Sequence, residues 1–136
     1  MNDKLTVTGK IVSGEKKGAF FTQLDWVQEQ CLEKLGFKPY PGTLNIQIHE
    51  EMVPVIETLP QEQIIELIPP DSNFCTGKVF PVVVEGLPAA VVLPQEEVRV
   101  HGKNIVEIIS NVKLKDALDL KDGDTVIVTI DPLLTR

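Results

Sequence analysis

A hydroxyl and a carboxamide stand two positions apart at Thr43 and Asn45, and their oxygens are ligands that hard cations accept. Leu44, Ile46 and Ile48 alternate with them, so the pattern predicts a strand whose polar face carries both side chains. Such neutral ligands suit a cation that brings anionic ligands of its own, such as Mg²⁺ bound to a nucleotide. An ordinary half-buried strand with a polar outer face would show the same pattern, and both interpretations remain open at this point.

Two lysine-containing segments could hold an anionic ligand such as a phosphate. Residues 14–18 form a predicted loop with glycine at both ends, and such loops can turn several N–H groups toward an anion. Lys113 and Lys115 flank Leu114 where a short helix is predicted to begin, and helix N-termini favour anions. A plain surface loop and a solvated helix face are the alternatives for these two segments.

A single acidic residue, Glu107, interrupts the apolar segment 105–109. Burial would raise the pKa of its carboxyl group and suit it to accept a proton during catalysis. Alternation also allows plain exposure, on the face opposite Val106 and Ile108. The sequence contains no Walker A motif, protein-kinase motif set or G-x-S-x-G element, so phosphate chemistry here would need a different arrangement.

The elements that would position these residues are mostly short strands. Apolar patterning and turn residues predict strands at residues 5–12, 43–48, 73–80, 82–85, 89–93 and 126–130. One longer helix is predicted after residue 22, with Thr22 as N-cap, Asp25 at the capping-box position and Gly36 as the residue after the helix. A short helix is predicted at 112–118, a turn at Gly77, and no assignment is made for 50–68. This pattern indicates a compact, mainly β barrel.

Length and composition describe a single domain covering residues 1–136. The net charge of −7 argues against binding to nucleic acid or to an anionic membrane surface. No apolar run approaches the ~20 residues of a membrane helix, and no apolar signal segment follows Met1. Cys31 and Cys75 are far apart in sequence and are expected to be reduced thiols in a cytoplasmic protein.

Four segments together resemble the archaeal-type CTP-dependent riboflavin kinases over nearly the whole chain. They are Gly-Lys-Ile-Val-Ser-Gly at 9–14, Leu-Gly-Phe-Lys-Pro-Tyr-Pro-Gly-Thr-Leu-Asn at 35–45, Ile-Val-Glu-Ile-Ile at 105–109, and Lys-Leu-Lys at 113–115 with Leu-Lys-Asp-Gly-Asp at 120–124. The resemblance implies a six-stranded Greek-key cradle-loop barrel with one longer and one short helix. It also implies a monomeric enzyme that transfers the γ-phosphoryl of CTP to the 5′-hydroxyl of riboflavin, giving FMN and CDP.

The resemblance further implies roles for individual residues. Mg²⁺ would be held by Thr43 and Asn45, and Glu107 would contact the ribityl end of the flavin, where it could also act as the base. Arg99 would contribute to flavin binding. The residues implied to bind the nucleotide are Gly14, Glu15, Lys16, Lys17, Gly18, Ala19, Val112, Lys113, Leu114 and Lys115.

The chain also departs from that family. Its first loop carries lysines where the family is richer in glycine, and its loop around His101 is longer, so that Arg99 or Glu97 stands at a usual threonine position. Ser110 and Asn111 replace a usual Ala-Pro pair. Two alternatives therefore stand beside the kinase: a flavin- or nucleotide-binding module without turnover, and a small DNA-binding barrel of the swapped-hairpin type, which the acidic net charge disfavours.

Overall fold

A computed structural model of the protein describes residues 5–13, 21–71, 76–93 and 104–130, and these contain seven strands. The strands are β1 (Leu5–Val12), β2 (Leu44–Ile48), β3 (Ile65–Leu67), β4 (Gly77–Val84), β5 (Leu87–Val92), β6 (Ile105–Ser110) and β7 (Thr125–Ile130). The helices are α1 (Asp25–Leu35), α2 (Val53–Glu57) and α3 (Leu114–Ala117), with 3₁₀ turns at Glu50–Met52 and Gln61–Gln63.

Six of these strands close into an antiparallel barrel in the order β1–β2–β6–β5–β4–β7. The strand β7 closes the barrel, since it pairs with β1 along residues 5–10 and with β4 at Val83 and Val84. The seventh strand, β3, extends the sheet outside the barrel by pairing with the first three residues of β4. The predicted six-stranded, mainly β barrel is confirmed.

The sequence-based division of residues 73–85 into two strands was wrong, because β4 runs without interruption from Gly77 to Val84. Pro81 suggested a break, since proline cannot donate to a strand ladder. Residues 80–82 lie between the part of β4 that pairs with β3 and the part that pairs with β7, so this edge has no registered partner at the proline. The hairpin turn that follows uses Glu85 and Gly86, both with positive φ, as a two-residue turn requires.

The apolar side chains form two separate clusters, one inside the barrel and one outside it. The interior cluster is built from alternating residues of all six barrel strands, with Phe80, Ile46 and Ile108 among the fully buried side chains. The outer cluster lies between α1 and the opposite face of β3 to β6, and contains Val27 and Cys31 of the helix. Strands β4 and β5 are therefore covered on both faces, which explains their apolar sequences without alternation.

The helix α1 begins at Asp25 and ends before Gly36, whose φ of 89° and N–H bonds to Cys31 and Leu32 carbonyls confirm the predicted C-terminal glycine. The predicted N-cap was wrong. Leu24 occupies that position without a side-chain cap, and Thr22 is fully buried with its hydroxyl accepting the Gly42 N–H at 2.8 Å.

The short helix predicted at 112–118 exists as the single turn α3, with Lys113 as its N-cap residue. A four-residue helix has little dipole, so the charges of its lysines matter more here than its N-terminus. Within the described residues, no helix is both long enough and apolar enough to cross a membrane.

Candidate functional site

A cleft of about 180 Å³ opens at one end of the barrel, where the start of β2 and the end of β6 approach α3. It is lined by the end of β1, the turn before β2, the adjoining ends of β2 and β6, and the segment before and within α3. The lining residues are Val12, Ser13, Tyr40, Pro41, Gly42, Thr43, Leu44, Asn45, Ile108, Ser110, Val112, Lys113, Leu114 and Lys115. Six predicted site residues thus meet in one cleft, namely Thr43, Asn45, Val112, Lys113, Leu114 and Lys115.

The two candidate cation ligands lie beside each other in this cleft. The Asn45 side-chain nitrogen is 3.5 Å from the Thr43 hydroxyl oxygen, a distance at the limit of a hydrogen bond. Leu44 and Ile46 pack into the barrel interior, so alternation directs Thr43 and Asn45 to the outer face as predicted. Asn45 is only 9% exposed, which restricts its amide to partners inside the cleft.

The turn at residues 39–42 is tied to the rest of the fold by polar contacts to the barrel and to α1. The Gln28 side-chain amide donates to the Pro39 carbonyl at 2.8 Å and to the Thr22 carbonyl. The Tyr40 N–H donates to the Ser110 carbonyl at 2.7 Å, which joins the turn to the end of β6. Together with the bond from Gly42 to Thr22, these contacts fix the backbone immediately before Thr43.

Lysines are the only charged residues among the described residues that line the cleft, although the protein carries a net charge of −7. Lys115 reaches Asp122, with 2.6 Å between Nζ and Oδ1, and the Ser13 hydroxyl donates to the other oxygen of Asp122 at 2.6 Å. These hydrogen bonds, first from Lys115 and then from Ser13, lower the pKa of the Asp122 carboxyl group below its ordinary value. Lys113 thus has no ion pair among the described residues and can attract an anionic ligand, whereas the charge of Lys115 is partly offset by Asp122.

Glu107 does not line the cleft but adjoins it. It is the cross-strand partner of Asn45, and directly opposed residues of an antiparallel pair present their side chains on the same face. On its other side Glu107 pairs with Val92 of β5, which packs against the outer cluster. The Glu107 side chain is partly buried and takes part in a further interaction. It is therefore neither fully buried nor plainly exposed, the two alternatives that the sequence left open.

Several predicted site residues lie outside the described residues. These are the first-loop residues Gly14, Glu15, Lys16, Lys17, Gly18 and Ala19, and also Arg99. Ser13, the last described residue before that loop, is part of the cleft lining. In the part of the chain that is described, no three His, Cys, Asp or Glu side chains cluster to hold a metal ion. A cation in the cleft would therefore depend on neutral ligands and on the ligands that its substrate provides.

Three contributors to the site were missed at the sequence level: Asp122, Ser110 and Thr22. Asp122 belongs to a Lys-Asp-Gly-Asp turn that was interpreted as a chain reversal and as part of the family resemblance, and no role in the site was predicted for it. Ser110 is buried and its hydroxyl donates to the Pro88 carbonyl at 2.7 Å, which ties β6 to the start of β5. Thr22 was assigned a helix cap instead of a contact 20 positions away.

Comparison with known proteins gives a consistent family result. A family model for CTP-dependent riboflavin kinases, described as domain of unknown function DUF120, matches residues 11–130. The riboflavin kinases of Methanosarcina barkeri and Archaeoglobus fulgidus are each 38% identical to this chain, over 132 and 130 residues. These alignments cover 94% and 93% of this chain but 57% and 54% of the relatives. The riboflavin kinase of Pyrobaculum aerophilum is 37% identical over 129 residues, with 93% and 60% covered. The chain thus spans a little over half the length of these curated relatives.

Proposed function

The chain belongs to the CTP-dependent riboflavin kinase family, and we propose that it transfers the γ-phosphoryl group of CTP to the 5′-hydroxyl of riboflavin, giving FMN and CDP. One observation carries the proposal: the same cleft brings together two neutral oxygen ligands and two lysines in an otherwise acidic protein. Phosphoryl transfer depends mainly on positioning and on neutralising phosphate charge, and such a cleft suits both tasks.

The nucleotide phosphates would lie between the segment 112–115 and the turn before β2. Lys113 and Lys115 would offset the phosphate charge as point charges on flexible stems. The cleft is smaller than the about 300 to 1,000 Å³ of typical small-molecule pockets. Its described walls thus match the phosphate end of a nucleotide, and the predicted first loop, residues 14–19, would contribute the rest of the nucleotide site.

The donor set in the cleft fits Mg²⁺. The Thr43 hydroxyl and the Asn45 carboxamide oxygen would hold the ion, together with oxygens that the substrate and water provide. When bound, the ion would supply positive charge that neutralises the charge developing on the phosphates. The protein side of this site is held in place by the anchored turn at 39–42, whose bonds to Thr22 and Ser110 restrict the backbone at Thr43.

Glu107 is proposed to orient the 5′-hydroxyl of riboflavin and to accept its proton. Its position opposite Asn45 sets the carboxylate next to the cation ligands and outside the lysine-lined part of the cleft. Antiparallel neighbours lie about one strand spacing, ~4.8 Å, apart, so the proposed base stands one strand away from the proposed cation ligand Asn45. Arg99, in the segment before β6, is the further proposed flavin contact.

The direct test is a riboflavin phosphorylation assay run in parallel with CTP, ATP, GTP and UTP in the presence of Mg²⁺. FMN formation is expected with CTP in preference to the other three nucleotides, by a chain that elutes as a monomer. Tight FMN binding without phosphoryl transfer from any nucleotide would instead identify a flavin-binding module on the same barrel.

The cation ligands are tested by Thr43→Val, which keeps the shape but removes the oxygen, against Thr43→Ser, which keeps the oxygen. Turnover in Thr43→Val and in Asn45→Ala should fall by about tenfold or more, because hydrogen bonds and ligand contacts to charged groups are worth about 1.5–3 kcal/mol. Thr43→Ser should stay within a few-fold of the unaltered chain. Full activity in Thr43→Val and Asn45→Ala would show that the cation is held elsewhere.

The base is tested separately by Glu107→Gln, which removes the charge and keeps the size. Positioned general bases contribute about 10²- to 10⁴-fold, so turnover should drop by that order while nucleotide affinity changes little. Equal losses of turnover and nucleotide affinity would remove Glu107 from the role of base.

A further inference from the structure

The turn between α3 and β7 holds an acidic side chain that contacts the cleft lining without belonging to it. Asp122 accepts a hydrogen bond from the Ser13 hydroxyl and pairs with Lys115, both at 2.6 Å. Ser13 stands at the end of β1 and Lys115 within α3, so one carboxylate joins two opposite walls of the cleft. The first of these contacts links residues 109 positions apart in the sequence.

The backbone around Asp122 is fixed on both sides. The Leu120 N–H donates to the Lys115 carbonyl at 2.7 Å, which attaches the turn to α3. The Gly123 N–H donates to the Ile11 carbonyl, and the Ile11 N–H donates to the Asp124 carbonyl, both at 2.8 Å, which attaches the turn to β1. The Asp124 carboxylate accepts the Lys121 N–H at 2.8 Å and closes the turn internally. The carboxylate of Asp122 therefore projects from a constrained backbone.

This ion pair is a poor candidate for a stabilising element. The Lys115 and Asp122 side chains are 36% and 49% exposed, and exposed pairs contribute little to folding stability. Its effect on Lys115 is more direct, because a free lysine samples many rotamers and a paired one is confined. A lysine that is confined before its ligand arrives loses less conformational entropy on binding.

We propose that Asp122 is a positioning residue for the nucleotide: it holds Lys115 at the rim of the cleft and sets the spacing between Lys115 and Ser13. The inference rests on the proposed function, since it assumes that phosphates occupy this cleft. Asp122 would act through Lys115 and Ser13 and would not touch the substrate. An acidic residue beside a phosphate site would otherwise be unfavourable, because like charges repel.

Because of that repulsion, the two explanations predict opposite changes in nucleotide affinity when the charge of Asp122 is removed. Asp122→Asn removes a negative charge near the phosphates, so a purely electrostatic view predicts tighter nucleotide binding. A positioning role predicts weaker binding, by about three- to tenfold, the range expected when one long side chain must be immobilised on binding. The matched control is Asp119→Asn, in the same connection: Asp119 is exposed, has no ion pair among the described residues, and has a φ of 54° that asparagine tolerates.

The measurement is calorimetric titration of the full chain with CDP in the presence of Mg²⁺. Weaker binding by Asp122→Asn, with unchanged binding by Asp119→Asn and unchanged thermal unfolding of both, supports the proposal. Unchanged or tighter binding by Asp122→Asn overturns it. In a Lys115→Met background, Asp122→Asn should cause a smaller loss than in the unaltered chain, because only its contact to Ser13 is left, and an equal loss would also overturn the positioning role.

Riboflavin phosphorylation by the unaltered chain, measured in parallel, separates the two hypotheses. Activity in the unaltered chain together with undiminished CDP affinity in Asp122→Asn refutes the positioning role alone. Absence of phosphorylation with all four nucleotides refutes the kinase, while the CDP titrations still decide whether Asp122 positions Lys115. In the active case, Asp122→Asn should raise the KM for CTP and leave the KM for riboflavin unchanged, a split that a general loss of structure would not produce.

Discussion

Replacing Thr22 by valine should loosen the turn that precedes the cation ligands while leaving the shape of the core unchanged. Thr22 is fully buried, and its hydroxyl accepts the Gly42 N–H at 2.8 Å. Gly42 has a φ of +121°, a conformation that glycine adopts readily and other residues rarely, so the chain reverses here at a defined point. Valine fills nearly the same volume but cannot accept that bond.

The expected loss of stability follows from the donor that is left without an acceptor. An unsatisfied buried donor costs about 1–3 kcal/mol, and the Gly42 N–H is only partly buried, so we expect the lower part of that range, about 1–2 kcal/mol. With an unfolding entropy of ~2.1 cal/mol/K per residue, this corresponds for 136 residues to a fall in Tm of about 4–7 °C. The Gln28 amide still holds Pro39, so the turn should stay attached at its start and move mainly at Gly42 and Thr43.

The matched variant is Thr22→Ser, which keeps the hydroxyl and removes one methyl group. Its loss of about 1 kcal/mol comes from lost packing and not from a broken hydrogen bond. A thermal unfolding scan measures the stability of both variants, and riboflavin phosphorylation at 25 °C measures their activity. Together the two assays separate the loss of packing from the loss of the hydrogen bond. Thr22→Val should lose activity several-fold at a temperature where it is folded, and Thr22→Ser should not.

Two results would contradict this account of the turn. Unchanged stability and activity in Thr22→Val would mean that the Gly42 N–H finds another acceptor or water at no cost. Equal loss of activity in Thr22→Val and Thr22→Ser would mean that packing at this site, and not the hydrogen bond to Gly42, controls the position of Thr43.

Three further predictions concern the barrel and its covering helix. Gly9→Ala should destabilise the protein by about 1–3 kcal/mol in urea unfolding, because a Cβ there would meet Ile46 Cδ1 at 2.7 Å, and Ile46→Val should restore part of the loss. Burial raises the pKa of the Cys31 thiol from 9.0 to about 11, so between these pH values the folded state keeps a proton that the unfolded chain loses. The urea midpoint should therefore fall as the pH rises from 9 to 11, and this fall should be smaller in Cys31→Ala. Gln30→Ala should cost about 1–2 kcal/mol in the same assay, because the Gln30 amide pairs with both the N–H and the C=O of Ile68 at 2.7 and 2.6 Å, beside the free edge of β3.

Local sequence patterns predicted the strands that keep the same neighbouring strand along each edge, and the end of the longer helix. The alternation in β1, β2 and β7 reports one buried face and one outer face, and the structure has the same faces. Gly36 ended α1 as predicted, because its left-handed conformation is a local property of the chain. These features depend on residues a few positions apart, so the sequence contains the information directly.

The errors arose where distant partners decide the local structure. Strand β4 continues through Pro81 only because the partner on that edge changes from β3 to β7, which no local pattern reports. Thr22 resembled an N-cap because its neighbours fit a capping box, but burial against the turn at Gly42 competed for its hydroxyl. The segment 50–68 combines two 3₁₀ turns, one short helix and a three-residue strand, each below the length at which periodicity can be recognised.

The adjacency of the proposed cation ligands could be predicted from the sequence, whereas the contacts that support them could not. The adjacency of Thr43 and Asn45 follows from the two-residue period of a strand, and the two lysines of α3 stand close in sequence. The contacts that hold them, from Thr22 to Gly42 and from Ser13 to Asp122, join residues 20 and 109 positions apart. The contact from Ser13 to Asp122 depends on the antiparallel pairing of β1 with β7, which brings the end of β1 next to the turn before β7.

The location of the cleft follows from the size of the barrel. A six-stranded barrel has an interior just large enough for its own side chains, and here Phe80, Ile46 and Ile108 fill it completely. A ligand therefore binds outside this packed interior, and α1 covers the outer side of β4 and β5. The cleft lies at the end of the barrel, where Thr43 and Asn45 stand beside Lys115. Asn45 is buried there, so its amide must find partners inside the cleft, and a ligand bound in the cleft would supply them.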